Sequence, residues 1–181
     1  METPELHLPY GWFGTGTGRE HYEMGVTAPG VPALIRSRTG DAGVTDQTFA
    51  TLMQSIVAGD FRGRRLRLRA ELKADDVHGA ETIWMRVDGG PKRMLAFDNL
   101  EQRAVDGALH GSSDWTLREV VLDVPAEAES IHYGFYLRGS GRAWARNFEL
   151  ASVASDVAVT TTQRLLDHPT NLDFSRIAGA D

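Results

Sequence analysis

Two short segments, residues 82–88 and 131–138, carry side chains that could bind or polarise a small organic molecule. If both are strands, successive side chains point to opposite faces of a sheet. One pair of faces then combines two aromatic rings with charged and ionisable groups: Trp84, Arg86, Asp88, His132, Tyr136 and Arg138. The opposite faces are apolar and suit a core: Ile83, Met85, Val87, Tyr133, Phe135 and Leu137.

Aromatic rings offer stacking area and charged groups orient a ligand, so the polar faces predict a binding groove. Trp84, Tyr136 and Arg138 are its ligand-binding candidates, and Gln54 and Asn99 could add hydrogen bonds. The alternative is that these are ordinary sheet-surface residues and half-buried aromatics. It stays open, because a shift of one residue in register reverses the faces.

Catalysis is a second interpretation of the same groove. His132, Asp98 and Arg86 are the catalytic candidates, because each could polarise or deprotonate a bound substrate. Holding a flexible substrate in a reactive shape needs no cofactor, since orientation supplies much of the rate. The groove therefore indicates one of two functions. It binds a small organic ligand, such as a sugar or a secondary metabolite, or it serves a cofactor-independent cyclase or isomerase of a natural-product pathway.

The glycine-rich stretch GWFGTGTGRE, residues 11–20, looks at first like a phosphate-binding loop. A dinucleotide fingerprint needs a third glycine where this chain has Arg19 or His21, and no Gly-Lys-Ser/Thr ends the stretch. We predict a turn between strands, with glycines supplying positive φ angles. The alternative is a mobile flap in which Trp12 and Phe13 cover a cavity.

Metal and nucleophile motifs are not found in the sequence. The chain has no cysteine, and its six histidines form no His-x-His or His-x-x-x-His pair, so no metal site is predicted. Asp75, Asp76 and His78 lie close together but favour a solvated turn over a ligand cluster. No Gly-x-Ser-x-Gly nucleophile elbow is present, and Ser140 fits a hairpin turn.

The formal net charge of −6 disfavours a nucleic-acid partner bound through its phosphates. The basic run at residues 62–69 is a candidate footprint, but its alternation favours an exposed strand face balanced by acids. Neither a signal sequence nor an apolar segment of membrane-spanning length stands out, so we expect a soluble cytoplasmic protein. An exposed sheet edge leaves a homodimer open.

Alternation of period two dominates the chain and predicts many short strands. They fall at residues 21–27, 33–38, 49–57, 64–74, 81–87, 93–98, 115–124, 131–138 and 142–153. Residues 99–114 are predicted as a long irregular connection. This pattern indicates an all-β fold, an antiparallel sandwich or barrel.

We expect residues 1–155 to form a single domain with an N-terminal flap. Residues 156–181 are expected to form a partly docked tail. Its short helix is predicted at residues 161–167, and Leu172 and Phe174 are expected to pack back on the body.

Phe49–Val77 resembles the middle of carbohydrate-binding-module-like jelly rolls, and Gly141–Leu150 resembles their closing strand. The resemblance implies a β-sandwich of jelly-roll, galactose-binding-like type. Such closing strands often carry two acidic residues, where this chain has Arg146 and Asn147. That difference weakens the case for a structural Ca²⁺ at this position.

Short stretches across most of the chain, among them Gly11–Gly14 and Ile83–Asp88, resemble bacterial proteins labelled as AraC-type transcriptional regulators or their effector domains. No helix-turn-helix is visible in the sequence. This resemblance implies a third functional hypothesis, a regulatory protein that acts through a partner.

Overall fold

The computed structural model describes residues 3–161, 169 and 171–176. Within these ranges nine strands follow one another, with short 3-10 turns at Arg19–His21 and Gly59–Phe61. The strands are β1 (Phe13–Thr15), β2 (Tyr22–Gly25), β3 (Ala33–Ser37), β4 (Phe49–Val57), β5 (Arg65–Asp88), β6 (Met94–Asp98), β7 (Leu109–Asp123), β8 (Ser130–Arg138) and β9 (Arg142–Val153). No helix in the described ranges has the length and apolar character needed to span a membrane.

The strands form an antiparallel β-sandwich of jelly-roll type whose two layers share β5. The front layer has the order β1–β4–β8–β5–β6 and uses the second half of β5, residues 80–88. The back layer has the order β2–β3–β9–β5–β7 and uses its first half, residues 65–75. Register shifts between Leu72 and Glu81 let this 24-residue strand pass from one layer to the other.

The core lies between the layers and is built by strand alternation. In the back layer, Leu66 and Leu68 are fully buried, and in the front layer so are Ile83, Met85 and Phe135. These side chains belong to one hydrophobic cluster. Because they use every second position, the residues between them face outward, and the outer face of the front layer becomes available for a site.

Two strand predictions need correction. The segments at 64–74 and 81–87 are parts of one strand, so Asp75, Asp76 and His78 lie within β5 instead of forming a separate turn. Asp76 has φ = 51°, and this local kink lets the strand bend without ending. In addition, β7 begins at Leu109, so the irregular connection covers residues 99–108, not 99–114.

The basic run lies on a solvent-facing strand face that acids balance, as its alternation predicted. Arg65 Nε lies 2.8 Å from Asp123 Oδ1, and Arg69 Nη2 lies 2.8 Å from Glu149 Oε2. Exposed pairs of this kind add little stability, but they neutralise the charge of the face.

The tail agrees only in part with its prediction. Arg65 Nη1 donates a 2.6 Å hydrogen bond to the carbonyl of Val157, so the segment directly after β9 contacts the body. Leu172 and Phe174 are 77% and 87% exposed, which corrects the expectation that they dock. The helix predicted at 161–167 lies almost wholly outside the described residues, and the domain boundary after residue 155 stays a prediction.

Candidate functional site

The outer face of the front layer brings the predicted aromatic residues together. The strand register places Thr51 opposite Tyr136, and in the neighbouring row it places Met53 and Trp84 on either side of Gly134. A Cβ atom at position 134 would collide with the backbone of β4, so glycine allows the close approach of these strands. The two aromatic side chains therefore project from the same face in adjacent rows.

A cavity of about 520 Å³ opens on this face. Five predicted site residues line it: Trp84, Arg86, Asn99, Tyr136 and Arg138. Trp84 and Tyr136 are each 8% exposed, and with Met53 they form a cluster separate from the main core. The two rings thus form the floor of a cavity on the outer face of the sandwich and are not part of the core between its layers.

Hydrogen bonds and ring contacts hold this floor in place. Trp84 Nε1 donates a 2.8 Å bond to Thr51 Oγ1, and that hydroxyl donates a 2.9 Å bond to the carbonyl of Phe135. The Phe49 ring meets the Tyr136 ring edge-on, with 5.9 Å between centroids. A preorganised aromatic surface loses little conformational entropy when a ligand settles on it.

Glu101, from the irregular segment after β6, forms one wall of the cavity. Its Oε1 accepts a 2.6 Å bond from the Tyr136 hydroxyl and a 3.2 Å bond from Arg138 Nε. Burial alone would raise the pKa of the Glu101 carboxyl, but the bonds from Tyr136 and Arg138 together lower it. Burial, and then the Glu101 carboxylate, raise the pKa of Tyr136, so its hydroxyl stays protonated and donates.

Arg86 lines the cavity, whereas His132 lies beyond it, and both contact Asp88. Arg86 Nη2 lies 2.9 Å and His132 Nε2 lies 3.2 Å from the same oxygen, Oδ2 of Asp88. The two ring nitrogens of His132 also lie 2.7 Å from Ser55 Oγ and 3.0 Å from Ser130 Oγ. Burial, helped by the Arg86 charge, lowers the pKa of His132, so its ring is neutral near pH 7.

Two polar candidates lie on the inner side of the front layer and need correction. Asp98 is opposite Met85 in the ladder and is 8% exposed; its Oδ1 accepts a 3.0 Å bond from the Leu100 amide. Gln54 is opposite Tyr133, accepts a hydrogen bond from the Tyr133 hydroxyl and donates to the Gly11 carbonyl. Both side chains form hydrogen bonds within the body of the protein, and neither lines the cavity.

The predicted flap does not cover this cavity. The Trp12 ring packs against Tyr133 and Phe148, with centroid distances of 6.0 and 5.1 Å, and it lines a different, mainly apolar cavity of about 700 Å³. Phe13 lies opposite Met53 and is 43% exposed, but it does not line the 520 Å³ cavity. Gly14 and Thr15 continue as strand β1, so the stretch is a sheet edge.

Sequence reasoning missed several lining residues, among them Phe49, Thr51, Phe97 and Glu101. Phe49 and Thr51 share a face of β4, which alternation could have shown. Phe97 is opposite Arg86 in the ladder, a pairing that needs the register between β5 and β6. No local pattern indicates Glu101, because it follows the strand in an irregular segment.

The three catalytic candidates do not come together in the cavity. Of the three catalytic candidates, Arg86 lines the cavity, His132 lies beyond it, and Asp98 points inward. Among the described residues, no group of three His, Asp or Glu side chains could hold a metal ion. What the cavity offers is fixed rings with hydrogen-bonding and charged groups around them.

Comparison by sequence finds no family model that matches the chain. One curated relative, the uncharacterized HTH-type transcriptional regulator YbfP of Bacillus subtilis (strain 168), is 32% identical over 173 residues. The match covers 91% of this chain and 56% of the relative, so the chain spans little more than half of that protein's length.

Comparison by structure finds jelly-roll neighbours. The enzymatically active domain of bacteriophage CBA120 tailspike protein 4 superimposes with a TM-score of 0.54 at 13% identity, over 80% of this chain and 20% of that one. A CBM4 module (TM-score 0.50, 15% identity) covers 78% of this chain and 86% of its own. The CBM22-1 xylan-binding domain from Paenibacillus barcinonensis Xyn10C (0.50, 13%) covers 82% and 90%. Identities this low establish the shared fold alone.

Proposed function

We propose that the cavity on the front layer binds a saccharide. The observation that carries this proposal is the floor formed by the Trp84 and Tyr136 rings, which hydrogen bonds to Thr51 and Glu101 hold in fixed orientations. Sugars present C–H faces to aromatic rings and hydroxyls to polar groups, and this cavity offers both kinds of contact. Its volume falls within the range of about 300–1,000 Å³ that is usual for small-ligand sites.

The structural neighbours support the same proposal. The CBM4 module and the CBM22-1 xylan-binding domain are named as carbohydrate binders, and both match most of this chain. The cyclase hypothesis stays a prediction, but its catalytic candidates do not share the cavity. Binding without chemical change therefore accounts for more of the observed geometry than catalysis by a cyclase does.

Calorimetric titration of the chain with a panel of neutral and acidic oligosaccharides tests the proposal. Phe97 is 40% exposed and lines the cavity, so Phe97→Ala removes contact area without opening the core. We expect this variant to bind its best saccharide roughly five-fold more weakly, about 1 kcal/mol. Phe174→Ala is the matched control, since Phe174 is 87% exposed and does not line the cavity.

The proposal predicts that Phe174→Ala binds as tightly as the unmodified chain. Equal affinity of Phe97→Ala and the unmodified chain would place the sugar elsewhere on the protein. Failure of every saccharide in the panel to bind would contradict the proposal altogether.

A second candidate function is saccharide sensing within a transcriptional regulator, which the similarity to an HTH-type regulator favours. In that role, ligand binding changes how the chain associates with a partner or a second copy. Sedimentation velocity with and without the best saccharide measures this change. An association state that stays the same at saturating ligand would argue against sensing through self-association, while leaving the binding proposal intact.

A further inference from the structure

The two arginines of the cavity differ in how many of their donors are used. Arg138 has all three nitrogens engaged: Nε and Nη2 lie 3.2 and 3.4 Å from the Glu101 carboxylate, and Nη1 donates at 3.2 Å to the carbonyl of Asp46. The Glu101 hydrogen bonds raise the pKa of Arg138 further, so this pair stays ionised. Arg138 and Glu101 therefore satisfy and neutralise each other.

Arg86 is less completely satisfied. Within the described part of the chain, its one charged contact is Nη2 with Asp88 Oδ2, at 2.9 Å. Its Nε is buried without a hydrogen-bond partner, and its Nη1 makes no hydrogen bond to a described residue. The side chain is nonetheless 42% exposed, so its outer edge faces the cavity. A guanidinium can donate five hydrogen bonds, and most of these remain available here.

Asp88, the anion beside Arg86, does not line the cavity and meets Arg86 through a single oxygen, Oδ2, which also lies 3.2 Å from His132 Nε2. This single-point contact leaves the other Nη N–H groups of Arg86 without a partner among the described residues. The cavity lining itself contains two cations, Arg86 and Arg138, and one anion, Glu101, which Arg138 already holds. The unused hydrogen-bond donors of the site therefore belong to the cationic guanidinium of Arg86.

We infer that the saccharide taken by this cavity carries a carboxylate, which Arg86 holds while the sugar ring lies on Trp84 and Tyr136. This inference rests on the proposed saccharide site and adds a substrate class, acidic over neutral sugars. Arginine pairs with carboxylates through parallel hydrogen bonds, which orient the ligand as well as attract it. Because the chain as a whole carries a charge of −6, the preference arises from this local contact and not from the long-range field.

The test uses pairs of probes that differ in the carboxylate alone. Trimers of galacturonate, glucuronate and mannuronate are compared with their carboxyl-reduced forms, which keep the linkage and stereochemistry of each sugar. We expect at least one acidic trimer to bind ten-fold or more tightly than its reduced form, with the preference shrinking as salt is raised. Arg86→Gln is expected to remove the preference. Arg64→Gln, the same charge change at an exposed arginine outside the cavity, is expected to keep it.

Two results overturn the inference while leaving the saccharide site in place. One is neutral trimers binding as tightly as acidic ones, with both weakened by Phe97→Ala. The other is an acidic preference that Arg86→Gln leaves unchanged. If no trimer of either class binds, the proposed site itself fails, and the acidic specificity fails with it.

Discussion

The Tyr136 hydroxyl donates a 2.6 Å hydrogen bond to Oε1 of Glu101, and this bond joins the irregular segment 99–108 to strand β8. The same hydroxyl accepts a 3.1 Å bond from Asn99 Nδ2. One phenol therefore positions both a wall and part of the floor of the cavity. Because Glu101 also holds Arg138, the loop, the ring and the cation form one connected unit.

Replacing Tyr136 with Phe tests this connection. The ring and its packing against Phe49 remain, but Asn99 and Glu101 lose their shared partner. We expect Tyr136→Phe to lower the free energy of unfolding by about 1–2 kcal/mol, the usual cost of losing a partly buried hydrogen bond to a charged group. Urea denaturation followed by tryptophan fluorescence measures the change.

Tyr10→Phe serves as the control for this experiment. Tyr10 is fully exposed, so removing its hydroxyl is expected to change stability by less than about 0.5 kcal/mol. Equal stability of Tyr136→Phe and the unmodified chain would show that the hydroxyl does not hold the segment in solution.

Glu81, on β5, predicts an unusual dependence of stability on pH. Its side chain is fully buried, and burial raises its pKa from 4.5 to about 9, with the Lys73 backbone offsetting only part of the effect. The unfolded chain releases this proton near pH 4.5, whereas the folded chain keeps it. The contribution of Glu81 is therefore fully present below about pH 4.5 and is lost as pH rises towards about 9.

Glu81→Gln removes the titrating group while keeping its approximate size. We expect the stability of the variant relative to the unmodified chain to rise between pH 5 and 9, with a slope of up to about 1.4 kcal/mol per pH unit. Thermal unfolding across this range measures the difference. Glu5→Gln, at an exposed position, is the control and is expected to show no such trend. A difference independent of pH would mean that Glu81 ionises in the folded protein.

Local alternation predicted the face that Trp84 and Tyr136 occupy, and the structure settles the register that the sequence left open. A period of two needs only the neighbouring residues of the same strand, and the apolar partners Ile83 and Phe135 are fully buried as expected. The number of short strands predicts an antiparallel sandwich or barrel, and the family resemblance implies the jelly-roll type.

The remaining site residues depend on contacts between strands that are distant in sequence. Gln54 is an exception, because alternation along β4 already places it on the face opposite Thr51. Asp98 lies on the inner side because it pairs with Met85, and this register cannot be deduced from β6 alone. Glu101 reaches Tyr136 across 35 positions of the chain, from a segment without periodicity. The place of a side chain in an irregular loop depends on tertiary packing, and a local sequence pattern does not predict it.

The indole N–H signals of the four tryptophans offer the most direct test of where a saccharide binds. Trp84 reports on the front-layer cavity and Trp12 on the apolar cavity, while Trp115 and Trp144 stack with Arg146 and Lys73. Two-dimensional ¹⁵N NMR of the chain, titrated with its best saccharide, resolves all four signals. We predict a saturable shift of the Trp84 signal, with the other three nearly unmoved. A saturable shift at Trp12, Trp115 or Trp144, with Trp84 unchanged, would contradict the assignment of the site.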